Sequence, residues 1–130
     1  MRVVVLLVAT VLLAPLGCRD RDPARAAAER FLDLHYVEID LPRAREEATG
    51  LARAKVEEEI RLTSGQEPPE AKPSVHYRFI EAQEDQGDER RGFVYEATIS
   101  FDGSQFTRRV LLTVRHEEGV WRVTNFQESD

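Results

Sequence analysis

The stretch that decides the fold is Ser74–Gln127, SVHYRFIEAQEDQGDERRGFVYEATISFDGSQFTRRVLLTVRHEEGVWRVTNFQ. Apolar residues recur in it at every second position, the period of a half-buried strand. Val75, Tyr77 and Phe79 share one face of a first predicted strand, with His76, Arg78 and Ile80 opposite. Phe93, Tyr95, Ala97, Ile99 and Phe101 mark a second strand, and Phe106, Val110, Leu112 and Val114 a third. In the fourth, Trp121 and Val123 oppose Val120, Arg122 and Thr124. Asp102-Gly103 and Glu118-Gly119 place glycine where a two-residue hairpin turn needs positive φ. Short links of this kind make neighbouring strands antiparallel. The predicted element is therefore a four-stranded meander with one face to be covered and one mixed face that can meet water.

The cover comes before it. Asp22-Pro23 is a helix-start signal: the carboxylate accepts from free amides and the proline is pre-set for the first turn. Ala24, Ala27, Ala28, Phe31 and Leu34 then follow helical spacing, which predicts a helix running to about Val37 or Ile39. Asp40-Leu41-Pro42 repeats the start signal for a short helix over Pro42–Ala48, with Gly50 expected to stop it. A third helix, Leu51–Thr63, carries Ala52, Val56, Ile60 and Thr63 on one stripe and turns Glu57–Glu59 to water. Pro68, Pro69 and Pro73 stiffen the link into the first strand. Helices followed by strands predict an α+β domain over 23–130, with the helices packed on the sheet.

Val3–Leu16 is apolar apart from Thr10 and follows a positive start at Arg2. It is shorter than the roughly 20 residues that span a bilayer, and fits the apolar region of a cleaved signal peptide. The segment ends Leu13-Ala14-Pro15-Leu16-Gly17-Cys18 and the chain turns charged at Arg19. A small residue before a cysteine at this place resembles the lipobox of bacterial lipoproteins, although Pro15 and Leu16 depart from its usual pattern. The resemblance implies a signal peptide over 1–17, lipid attachment at Cys18 and a linker over 18–22. It also implies a place on the bacterial cell envelope, at the outer membrane if the source is Gram-negative. An ordinary signal peptide or an uncleaved anchor are the other readings of the same residues. Cys18 is the one cysteine, so the chain has no internal disulfide.

The order of elements resembles the nuclear transport factor 2-like superfamily, a cystatin-like α+β cone that includes ketosteroid isomerase. Ala28-Glu29-Arg30-Phe31-Leu32 in the first helix, Asp40–Ala44 at the second and Val120-Trp121-Arg122-Val123-Thr124-Asn125-Phe126 in the last strand carry it. It implies a bent sheet, a pocket at the mouth of the cone and a homodimer through the sheet face, where Ile80, Val94 and Leu111 would be the exposed apolar contacts. It assigns no activity. Tyr36, Tyr77, Tyr95 and Trp121 are the candidate pocket residues.

Chemistry is sparse. The three histidines, His35, His76 and His116, have no metal-ligand spacing. Asp40 reads as a helix cap. Arg108-Arg109 beside Arg78, Arg90 and Arg91 would form an anion patch or a solvated face. Phosphate loops, nucleophile elbows and nucleotide fingerprints are missing, and neither catalytic residues, metal nor cofactor are expected. A net charge of −6, with 32% charged residues, argues against nucleic acid. The expected function is a non-catalytic, lipid-anchored binding or assembly module. The alternative is a small-molecule, possibly enzymatic, pocket of the ketosteroid isomerase kind.

Overall fold

A computed structural model describes residues 22–83 and 87–130. Three helices pack against a four-stranded antiparallel sheet. The helices are α1 (Pro23–Leu32), continued by a π-helical turn (Asp33–Val37), α2 (Leu41–Glu46) and α3 (Gly50–Thr63). The strands are β1 (Ser74–Gln83), β2 (Arg90–Phe101), β3 (Ser104–Glu117) and β4 (Val120–Ser129), in the order β1-β2-β3-β4. Cys18 and the expected signal peptide lie outside the described residues. Among those described, no helix is long and apolar enough to cross a membrane.

Local chemistry sets the boundaries. The Asp22 carboxylate accepts from the Ala24 N–H at 3.1 Å, and Pro23 opens α1. Asp40 caps α2 in the same way, accepting from the Arg43 N–H at 3.2 Å. Gly50 does not end α2. Its φ of +55° belongs to the first residue of α3, because Ala48 and Thr49 run extended beside β4. There the Thr49 N–H donates to the Val123 carbonyl at 2.8 Å, and the Val123 N–H to the Glu47 carbonyl at 3.0 Å. This short bridge covers the open edge of β4. Lys55 closes more of it, reaching the Phe126 carbonyl at 2.6 Å. In both two-residue turns the two central residues have positive φ, Asp102 with Gly103 and Glu118 with Gly119, the twist that fits a hairpin.

The core lies between α1 and the sheet. Phe31, Leu32, Phe93, Tyr95, Val110, Leu112, Val114 and Val123 are fully or almost fully enclosed. Phe126 joins them through an irregularity that strict alternation misses. Val123 faces the core, so period two would send Phe126 to the outer face. A bulge at Thr124, opposite the Thr113–Val114 step, resets the phase, and the Thr124 hydroxyl donates to the Thr113 carbonyl at 3.2 Å.

The outer face mixes apolar and charged side chains, with Val94 directly opposite Leu111. Val94 is buried there, Ile80 and Leu111 are half-buried, and the Arg78–Glu96 ion pair crosses it at 3.1 Å. None of Ile80, Val94 and Leu111 is therefore a fully exposed apolar residue on that face. Most of the large exposed apolar side chains stand elsewhere: Ile39, Leu62, Phe101 and Phe106 among them.

Candidate functional site

The end of α1 carries an extra residue. The Glu38 N–H reaches the Asp33 carbonyl at 2.8 Å, a five-residue step in place of four. Such π turns occur preferentially at functional sites because the wider turn re-aims side chains. Here it sends Asp33, His35 and Tyr36 to three different elements. The Tyr77 phenol on β1 donates to Asp33 Oδ1 at 2.6 Å. His35 Nε2 lies 2.8 Å and 3.0 Å from the two carboxylate oxygens of Glu59 on α3. The Tyr36 phenol donates to Glu128 on β4 at 2.6 Å.

His35 is packed as well as bonded. Its ring stacks on Phe31 at 5.3 Å and 11°, meets Phe126 at 4.9 Å and takes the edge of Tyr36 at 4.4 Å. Only 8% of the side chain is exposed, and Nδ1 is buried with no hydrogen-bond partner among the described residues. Burial pushes the Tyr36 phenol far above its ordinary range. The bond to Glu128 and the negative charges of Glu128 and Glu59 push it further in the same direction.

These side chains border an apolar groove of about 380 Å³ between the π turn, the end of α3 and the first two strands. Ile39, Leu62, Val75 and Ile99 supply its greasy walls, with His35 and Glu59 as its polar part. Ile39 has φ +56°. A β-branched residue in the left-handed region is strained, and strain of this kind collects at ligand clamps and switch regions. Ile39, Leu41 and Thr63 continue into a second groove of about 420 Å³ floored by Pro68 and Pro69.

The four candidate pocket residues do not line one cavity. Tyr36 borders the groove. Tyr77 sits with Phe79, Arg25 and Glu29 in a separate cleft of about 570 Å³, where the Arg25 guanidinium lies 3.9 Å from the centre of the Phe79 ring. Tyr95 is enclosed between the two sites, edge-on to Tyr77 at 5.7 Å, with its hydroxyl 3.4 Å from Glu29. Its phenol is raised by burial first and by the Glu29 charge next. Trp121 stands at the β3–β4 end of the sheet, against His116 at 5.0 Å. His76 is exposed beside Ser74. Among the described residues no acidic, cysteine or histidine group could hold a metal.

Sequence reasoning missed Glu59. It was grouped with the solvated run Glu57–Glu59, yet it stands three residues after Val56 and seven after Ala52, on the edge of the buried stripe. That spacing was the available signal. Comparison with known proteins finds no matching family model, no similar characterised protein and no similar solved structure.

Proposed function

We propose that the chain is a lipid-anchored domain of the bacterial cell envelope that works by binding rather than catalysis, with the groove beside His35 as its recognition surface. The carrying observation is the contrast between a closed interior and this one rim. Phe31 and Tyr95 fill the space under α1 without exposure. Ile39 and Leu62, 40% and 57% exposed, stand open around the groove. An apolar concavity with a few convergent polar groups is the general form of a ligand site. The ligand that fits is an apolar group or side chain bearing one hydrogen-bonding atom for the His35–Glu59 pair.

The resemblance to the nuclear transport factor 2-like superfamily supports this reading only in so far as that fold implies a pocket between helices and sheet. Lipidation at Cys18 would tether the start of α1. The groove lies at the far end of that helix and its π turn, about 20 Å away at 1.5 Å per residue, and would face the periplasm.

Two experiments test the two halves. Intact mass and membrane fractionation of the wild type beside Cys18→Ser test the anchor. Acyl mass and membrane partition in the wild type alone support it; a soluble, unacylated wild type refutes it. For the groove, a long-chain amphiphile is titrated against wild type and Leu62→Asp. Saturable binding lost in the variant supports the site, and equal binding refutes it.

The His35–Glu59 pair favours a second reading, a small-molecule pocket with proton-transfer chemistry. A carboxylate that orients an imidazole is a common arrangement for a general base. Turnover of a small substrate that Glu59→Gln abolishes, without loss of binding, would establish it. A homodimer through the outer sheet face would have to bury charged side chains beside Val94 and Leu111. Sedimentation at high concentration tests it.

A further inference from the structure

The arginines of the outer face divide into two rows with opposite electrostatics. Across the middle of the sheet, Arg78, Glu96 and Arg109 stand in direct register, positive, negative, positive. At the end of the sheet, Arg90 on β2 is paired with Arg115 on β3, and Arg115 with Arg122 on β4. The core-facing side chains on either side, Val114 and Val123, fix this row on the outer face. Directly opposed side chains sit about 5 Å apart at Cβ, and like charges there are destabilising. Arg115 has one carboxylate partner, Glu117 at 3.3 Å, and that pair is exposed. Arg90 and Arg122 have no ion-pair partner among the described residues. Arg91 points to the other face and is held by Asp22 at 3.5 Å.

A cleft of about 730 Å³ opens beside this row. Arg90 and Arg115 line it together with Asp88 and Glu89, with Thr124 and Asn125 from β4 and Leu51 from the start of α3, while Arg122 stands next to Arg115 in the row, outside the lining. The backbone of Glu89 is fixed, because its carbonyl accepts from the His116 N–H at 2.8 Å. Its carboxylate makes no ion pair with the adjacent Arg90. The cleft thus offers two cations, Arg90 and Arg115, and two anions, Asp88 and Glu89, with no ion pair between them among the described residues.

We propose that this cleft binds a small zwitterion. The phosphate or carboxylate of the ligand lies across Arg90 and Arg115, and its ammonium group meets Asp88 and Glu89. An anion bridging the row removes the repulsion that the register imposes, and guanidiniums suit such groups through paired N–H donors. A purely anionic ligand would meet Asp88 and Glu89 unfavourably, which selects for a ligand with both signs. This site is on the opposite face of the sheet from the apolar groove and stands independently of it.

Calorimetric titration of the full-length chain in detergent, with phosphoethanolamine, inorganic phosphate and ethanolamine as probes, tests the proposal. Phosphoethanolamine should bind saturably and more tightly than either half. Arg90→Ala and Arg115→Ala should each weaken it about tenfold, the scale of one charge-assisted contact. Arg115→Lys should retain part of the affinity and Arg109→Ala all of it. Asp88→Asn combined with Glu89→Gln should bring phosphoethanolamine and phosphate to equal affinity. Both arginine variants change exposed side chains, and their circular dichroism should match the wild type. Absence of saturable binding, arginine variants that bind as the wild type does, or phosphate binding as tightly as phosphoethanolamine would each overturn it. Vesicles containing phosphatidylethanolamine separate the sources. Binding to them that free phosphoethanolamine displaces assigns a lipid headgroup, and binding of the free compound alone assigns a soluble ligand.

Discussion

His35 Nε2 and Glu59 Oε2 are 2.8 Å apart and join the π turn to α3 across the edge of the groove. The contact links residues 24 positions apart in the chain. It is the only hydrogen bond of the His35 ring among the described residues, since Nδ1 has none. Removing the carboxylate therefore leaves a buried imidazole without any partner. Glu59→Ala should destabilise the fold by about 1–3 kcal/mol, the cost of an unsatisfied buried polar group. Urea unfolding of wild type and variant measures it. A change within error would mean that the ring finds water in the variant.

The alkaline behaviour follows from two phenols. Tyr36 and Tyr95 have pKa values raised above the ordinary 10.0, in each case mainly by burial. The folded state holds these protons where the unfolded state releases them. Their stabilising contribution is complete below pH 10 and declines as the pH rises above it. Absorbance at 295 nm should show Tyr36 and Tyr95 ionising late, together with unfolding. Tyr36→Phe should remove one late tyrosine from the titration, and a single ordinary transition in the wild type would contradict the assignment.

Phe31 is fully enclosed and touches both His35 and Phe126. Phe31→Ala should cost about 3–5 kcal/mol, from lost burial and the cavity left behind. The same variant should loosen the groove, because the ring is the floor on which His35 stacks. Amphiphile affinity and denaturation midpoint should fall together. A drop in stability alone would separate the groove from the core.

Gly103 has φ +76°, and an added Cβ would meet nothing within 4 Å. A substitution there tests backbone strain without a steric clash. Gly103→Ala should cost about 1–2 kcal/mol, the penalty for an L-residue in the left-handed region. Thermal unfolding measures it, and no shift would mean that the hairpin changes its turn type.

The sheet was legible because its two signals are local. Val75, Tyr77 and Phe79 alternate within five residues, and Asp102-Gly103 needs no distant partner to turn. The helix starts at Asp22 and Asp40 were readable for the same reason. What alternation could not reveal was the bulge at Thr124, since an inserted residue is visible only against its partner strand. Gly50 misled because a glycine with positive φ serves a helix end and a helix entry equally well. The candidate site was harder still. His35, Glu59 and Glu128 lie far apart in sequence, and only tertiary packing sets which carboxylate reaches which ring. Tyr36, Tyr77, Tyr95 and Trp121 do not share a cavity, because Tyr36 stands on the π turn and the other three are spread over β1, β2 and β4.

The π turn at Asp33–Val37 holds one residue more than an ordinary α-helical turn. Taking out one residue there would restore ordinary winding, and each residue of an α-helix accounts for about 100° of rotation. The same deletion would swing Ile39 out of the rim and move Asp40 off the start of α2. A groove built in this way is sensitive to chain length before it is sensitive to side-chain identity. Shortening the turn by one residue would erase the groove while sparing the buried faces of α1 and the sheet.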